Sequence, residues 1–267
     1  MKLDYYTALS FAPIKLSVGT IRKPTLNDIS ELTFPVFEFY QLFIDMTPKR
    51  YYKSIGAELK YEDKKNAWDN FSDEEKANMT MFDIITRNDK VKETYLEILN
   101  FFFIDTVIFV NDYFYVVKNF DVEKNVITKD NLQGAFGKEL FDEVIEVIKQ
   151  ICCISIKEKE SDQVFKNNKA REIWRKLHPD DESDKPKKRS NINLTIPNVI
   201  SSVSANSFNL NIIDIWKITI FQLFDQFNKI TLDKQNYLNG INVAVWGDEK
   251  NKFDSLGWNK NIYDKND

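Results

Sequence analysis

Residues 211–230 read NIIDIWKITIFQLFDQFNKI, and the spacing of their apolar side chains decides how the chain is built. Asn211 is expected to cap a helix with Asp214 at its third position, a capping-box variant that satisfies orphan backbone N–H groups. From there Ile212, Trp216, Thr219, Ile220, Leu223, Phe224 and Phe227 recur at helical spacing and form one stripe. At about 100° per residue, Ile218 and Phe221 turn to the other side, among Asp214, Lys217 and Asp225. One stripe builds a core. A second apolar spot on the same helix asks for a second neighbour, either another part of this chain or another protein. Ile218 and Phe221 are therefore candidate partner-binding residues, with packing inside the chain as the alternative.

Composition supports a helical reading. The chain has 267 residues, 43% of them hydrophobic and 14% aromatic, including 21 Phe, which excludes global disorder. Only 7 Gly and 7 Pro argue against a sandwich or barrel with many tight turns. A net charge of -4 and a pI near 5.3 give no whole-chain electrostatic footprint for nucleic acid. The opening MKLDYYTALSF places Asp4 and two tyrosines where a secretory signal needs an apolar run. The greasiest segment, 101–110, contains Asp105 and is far shorter than the ~20 residues that span a bilayer. No membrane association is expected. Cys152 and Cys153 are adjacent in an apolar context and read as buried free thiols, which suits a reducing cytoplasm.

The expected fold is mainly α, of the α+β kind. A helical N-terminal domain over 1–155 carries a small β-hairpin. An amphipathic helix and a charged linker occupy 156–191. A helical C-terminal module with an extended aromatic tail fills 192–267. Within the first part, 12–23 alternates as a short extended arm with Gly19 at a bend. Thr25 and Asp28 start a helix that runs through Ile44, is apolar on nearly every side, and is expected to be central and kinked at Pro35. Thr47-Pro48 opens a short helix that Gly56 closes. Further starts lie at Ser72 with Glu75, at Thr80 with Asp83, and at Asn88 or Asp89. Residues 107–117 read as a hairpin turning at Asn111-Asp112, with 125–128 as a third strand and a helix over 138–150. The run 179–190 is acidic first and basic second, as a solvated linker would be. Residues 241–246, INVAVW, read as a short strand before the tail.

Motifs for chemistry are missing. His178 is the only histidine and lacks any oriented nucleophile, so it reads as a helix C-terminal residue. One His and two adjacent Cys do not make a zinc site of usual spacing, and no Asp-x-Asp-x-Asp-Gly loop is present. Gly134-Ala-Phe-Gly137-Lys138 falls short of a phosphate loop and reads as a turn before a helix. The basic cluster 185–189 is balanced by Asp180, Asp181, Glu182 and Asp184, which disfavours nucleic acid. Catalytic, cofactor-binding and metal-binding residues are therefore all expected to be absent. What remains is surface. Trp246, Phe253, Leu256 and Trp258 lie in a terminal segment otherwise rich in Asn, Asp and Lys. Either they dock back on their own domain or they bind a partner.

Four pieces of the chain carry a resemblance: GTIRKPTLNDISEL (19–32), FKNNKAREIW (165–174), NLTIPNVISSVSANSFNLNIIDIWKITIFQLFDQFNKI (193–230) and VAVWGDEKNKFDSLGW (243–258). The chain resembles a family of tail morphogenesis proteins from tailed phages of Gram-positive bacteria. Residues 50–135 match that pattern weakly, and no catalytic residue comes with it. The resemblance implies a non-enzymatic tail assembly chaperone in the host bacterial cytoplasm, partnered by the tape-measure or another tail protein. Self-association is a further option. The alternatives are a structural subunit of the tail or baseplate and, from a different class, a nucleic-acid-binding protein.

Overall fold

The computed structural model describes residues 1–52, 68–121, 127–154, 195–207, 210–248, 253–260 and 263. In chain order these form α1 (Tyr5–Leu9), β1 (Ile14–Leu16), β2 (Gly19–Ile21), α2 (Leu26–Leu32), α3 (Phe34–Ile44), α4 (Asp73–Asn78), α5 (Met81–Arg87) and α6 (Asp89–Phe102). Then come β3 (Thr106–Val110), β4 (Tyr113–Val117), β5 (Leu132–Phe136), α7 (Lys138–Ile151), α8 (Ile196–Asn206) and α9 (Ile220–Trp246). Short 3-10 turns sit at Ile215–Lys217 and Gly257–Asn259. The fold is mostly helical, with one two-stranded hairpin, one three-stranded antiparallel sheet, and a helical C-terminal region. The charged linker, His178, Gly56 and the 165–174 segment lie outside the described residues.

Local sequence sets most boundaries. Thr25/Asp28, Ser72/Glu75 and Thr80/Asp83 each form a reciprocal capping box at the start of α2, α4 and α5. Asn88 accepts from the Val91 N–H to start α6. Asn111 and Asp112 both take positive φ, 47° and 60°, giving the two-residue turn that matches strand twist between β3 and β4. The arm over 12–23 is the antiparallel pair β1–β2.

Three expectations need correction. Pro35 does not kink one helix. Thr33 at φ 79° breaks the chain into α2 and α3, and Pro35 sits in the first turn of α3, where its missing N–H has no cost. Nor is α3 buried all round, for Val36, Phe39 and Leu42 are exposed. The third strand of the sheet is Leu132–Phe136, so Gly134 lies in a strand, not a turn; of the expected strand over 125–128, residues 125 and 126 lie outside the described residues and 127–128 are not strand. A Cβ on Gly134 would come within 2.7 Å of the Val18 Cα, so β5 can pass the β1–β2 turn only with glycine there.

The core is an aromatic assembly between helices and sheet. Phe114 of β4 stacks on Phe136 of β5 at 5.2 Å, and Phe141 of α7 meets Phe82 at 5.6 Å and Tyr95 at 5.5 Å. The buried Tyr95 hydroxyl donates to the Phe43 carbonyl at 2.8 Å, which ties α6 to α3. The C-terminal helices join the same core: Val199, Ile200, Val203, Ile220 and Leu223 are buried in one cluster with N-terminal residues. Backbone bonds reinforce that junction. Thr25 bridges Thr219, and the Leu26 N–H at the start of α2 donates to the Ile218 carbonyl at 2.9 Å.

Candidate interaction surface

The segment that decides the fold breaks once. Asn211 does accept N–H groups, from Ile213 and Asp214, but the turn it starts ends with the 3-10 segment Ile215–Lys217. Ile218 is extended, and α9 begins afresh at Thr219, whose hydroxyl and Gln222 form a capping box. The expected single helix from Asn211 is thus two pieces. The physical reason is that Thr219-x-x-Gln222 is a complete cap, and the β-branched Ile218 before it favours extended backbone. Ile212 is consequently exposed and not part of the buried stripe.

Phe221 is only 4% exposed. Its ring meets Tyr263 at 5.3 Å and Tyr5 at 6.4 Å, so it packs within the chain. Ile218 is half-buried against the core, and its carbonyl is held by Leu26. For these two residues the inward alternative is what the structure shows. Beside Phe221 the buried Asp225 accepts the Tyr5 hydroxyl at 2.8 Å. Burial, reinforced by the Asp225 charge, pushes the Tyr5 phenol up to about 12.

Beyond this root, α9 behaves differently. It runs 27 residues, about 40 Å, yet its buried residues are Ile220, Phe221, Leu223 and Asp225, all at its start. Near Asn206, whose side chain takes the Lys234 ammonium, α8 ends. From there 235–246, QNYLNGINVAVW, continues as exposed helix without one charged side chain. At 100° per residue, Tyr237, Leu238, Ile241 and Val245 fall within an arc of about 100°. Their exposures of 68%, 59%, 43% and 64% make a continuous uncovered apolar row. The expected strand at 241–246 is therefore the last turn and a half of a helix, ended by Gly247 at φ 78°.

The described tail residues, 253–260 and 263, turn back along α9, opposite the apolar row. The Phe253 ring lies 3.3 Å from where a Cβ on Gly240 would stand, and Asn236 donates to the Asp254 carbonyl at 2.8 Å. Lys229 donates to the Lys260 carbonyl at 2.7 Å. At the far end the Tyr263 hydroxyl donates to the Leu3 carbonyl at 3.1 Å. A cleft of about 460 Å³ remains between helix and tail, lined largely by Asn236, Asn239, Asn242, Val243, Phe253 and Asp254. Of the four aromatic-tail candidates, Phe253 is half-buried on α9, whereas Trp246, Leu256 and Trp258 are exposed at 81%, 67% and 45%.

Sequence reasoning missed Tyr237, Leu238, Ile241 and Val245. Their i, i+4, i+8 spacing was readable, but Asn239-Gly240 is a strong turn signal and Ile, Val and Trp favour strands. Gly240 serves another end, leaving room for the Phe253 ring.

Reactive groups elsewhere have structural explanations. Lys23 is 8% exposed and its ammonium is held by the Thr7 carbonyl and, at 2.8 Å, by the Ser10 carbonyl, so it caps the C-terminus of α1. Cys152 is buried and burial raises its thiol, while Cys153 is exposed, correcting the expectation that both are buried; neither is in a disulfide. Among the described residues no group of three or more His, Cys, Asp or Glu is placed to hold a metal ion, and no helix is long and apolar enough to cross a membrane.

A family model described as YomV second domain matches residues 185–263. That family is of a Bacillus phage type, and the match supports a phage-associated protein. Helices α8 and α9 and the returning tail to Tyr263 all fall inside the matched span. No curated protein and no solved structure matches the chain.

Proposed function

We propose that this chain is a non-enzymatic phage assembly factor, a tail assembly chaperone that holds the helical tape-measure protein in the host cytoplasm while the tail tube forms. The observation that carries the reading is the uncovered apolar row Tyr237, Leu238, Ile241 and Val245 on the uncharged end of α9. Contiguous apolar surface of this kind marks an interaction site on a soluble protein. A single exposed helix face suits an amphipathic helical client, whose apolar residues at i, i+3, i+4 and i+7 lie along the row. Displaced water drives such binding, and each buried large apolar side chain contributes roughly 1.5–3 kcal/mol before association costs. Exposed Trp246, at the tip of the helix, extends the contact. The phage-type match over the C-terminal part and the resemblance to tail morphogenesis proteins supply the biological setting.

Co-expression tests it. The chain should raise the soluble yield of the tape-measure protein and be captured with it, and Ile241→Asp should abolish both effects. Unchanged yield with no capture removes the chaperone reading. Mass spectrometry of purified virions separates it from a permanent tail or baseplate subunit, because a chaperone is missing from mature particles.

A further inference from the structure

We infer that the uncharged end of α9 is a conditional helix: the returning tail holds it helical, and the tail is locked in place at Tyr263. Release of that lock would dissolve the apolar row. The inference rests on the proposed function for what the row does, and on packing alone for what holds the row together.

Local sequence does not sustain this helix. Within 235–246 Asn236, Asn239, Gly240 and Asn242 disfavour helix, and Ile241, Val243 and Val245 are β-branched. With no charged side chain, the run has no i, i+4 ion pair to support it. A run this short is marginal as a helix in water and persists by packing one face. Only Asn236, Gly240 and Val243 of this run are partly shielded, and their i, i+4, i+7 spacing makes one face. The tail covers that face. The Phe253 ring takes the space of a side chain at 240, lying 3.3 Å from that Cβ position. Asn236 donates to the Asp254 carbonyl at 2.8 Å, and a Cβ on Gly257 would come within 2.7 Å of the same amide nitrogen. The tail is itself stiffened. Asp248 accepts the Phe253 N–H at 2.8 Å, and Asp254 accepts the Leu256 N–H at 3.0 Å while pairing with Lys260 at 3.2 Å.

Much of this strap is shallow, for Leu256 and Trp258 stay exposed and a cleft remains beneath it. Its deep attachment is Tyr263. That ring packs on Phe221 at 5.3 Å and on Tyr5 at 5.9 Å, and its hydroxyl donates to the Leu3 carbonyl at 3.1 Å. The buried Gln150 holds Leu3 in turn, accepting its N–H at 2.7 Å while the amide nitrogen donates to the Met1 carbonyl at 2.9 Å. The lock thus sits on the core at Phe221, about 24 Å of helix before Tyr237, and the tail carries its effect outward.

Hydrogen exchange of the full chain, read by mass spectrometry, tests this at 238–246. Phe253→Ala should speed exchange there about tenfold, with α6 and α7 unchanged as the sign of an intact core. Tyr263→Phe removes one hydroxyl at the root of α9 and should speed exchange in the same distant segment. Adding Gly240→Ala to Phe253→Ala supplies a helix former where the ring no longer stands, and should restore slow exchange. Capture of the tape-measure protein should fall with Phe253→Ala and return with the double variant. Exchange at 238–246 unmoved by Phe253→Ala overturns the inference, as does faster exchange spread equally over α6 and α7, because the tail would then support the whole fold. Exchange unmoved by Tyr263→Phe overturns the lock. A wild-type chain that captures no tape-measure protein overturns the chaperone reading alone, since the exchange result is independent of it.

Discussion

Tyr5 and Asp225 are far apart in sequence, and the hydrogen bond between them ties the N-terminal helix to the root of α9. The phenol pKa rises from 10.0 to about 12 on folding, so the folded chain keeps a proton that the unfolded chain releases. The contribution of this group to stability is therefore complete below pH 10 and is lost as pH climbs from 10 towards 12. Tyr5→Phe should cost about 1–3 kcal/mol near neutrality, since it leaves a buried carboxylate short of a donor. It should also flatten the loss of stability between pH 10 and 12, which denaturant titrations at stepped pH would measure. None of this pair was legible in the sequence. Tyr5 looked like part of a disqualified signal peptide, and Asp225 looked like one residue of a polar helix face. Long-range pairing leaves no local trace. By contrast Thr25, Ser72, Thr80 and Asn88 were legible, because a helix cap needs only residues within three or four positions.

At the scale of the element, α9 is one helix with two regimes. Its root is core, and its end is surface. Phe221→Ser should therefore destabilise the protein by about 2–5 kcal/mol, the usual consequence of truncating a buried large side chain. Ile241→Asp should stay within about 0.5 kcal/mol, because Ile241 is exposed. Thermal denaturation of the two variants side by side checks the contrast, and comparable losses would erase the division. The root was partly readable: the stripe of Ile220, Leu223, Phe224 and Phe227 was seen, but its cap was placed at Asn211 instead of Thr219, ahead of a turn over 212–214, the 3-10 segment and extended Ile218. The end was misread because residue preferences at 239–246 favour turn and strand, whereas helix propagation from a strong cap and the docked Phe253 hold it helical. Tertiary contact overrode local preference here, as it did at Gly134, where the β1–β2 turn dictates glycine in a strand.

For the whole molecule, the described residues on either side of 155–194 share one hydrophobic cluster, joined by the Thr25–Thr219 bridge and the Tyr5–Asp225 bond. That rigid base, together with the tail strapped along one side of α9, leaves the opposite side of the helix standing out from the fold. The mostly helical class and the small sheet followed from composition and periodicity, but the presentation of α9 did not, because it depends on what packs where. The proposed role of this uncharged helix end is to be the working surface of a phage assembly factor. The most direct measurement is tail formation by a phage whose copy of this chain carries Ile241→Asp, scored by electron microscopy of infected cells, with soluble variant protein quantified in the same lysates. The expected result is normal amounts of folded variant and no completed tails. Normal tails alongside folded Ile241→Asp protein would contradict it.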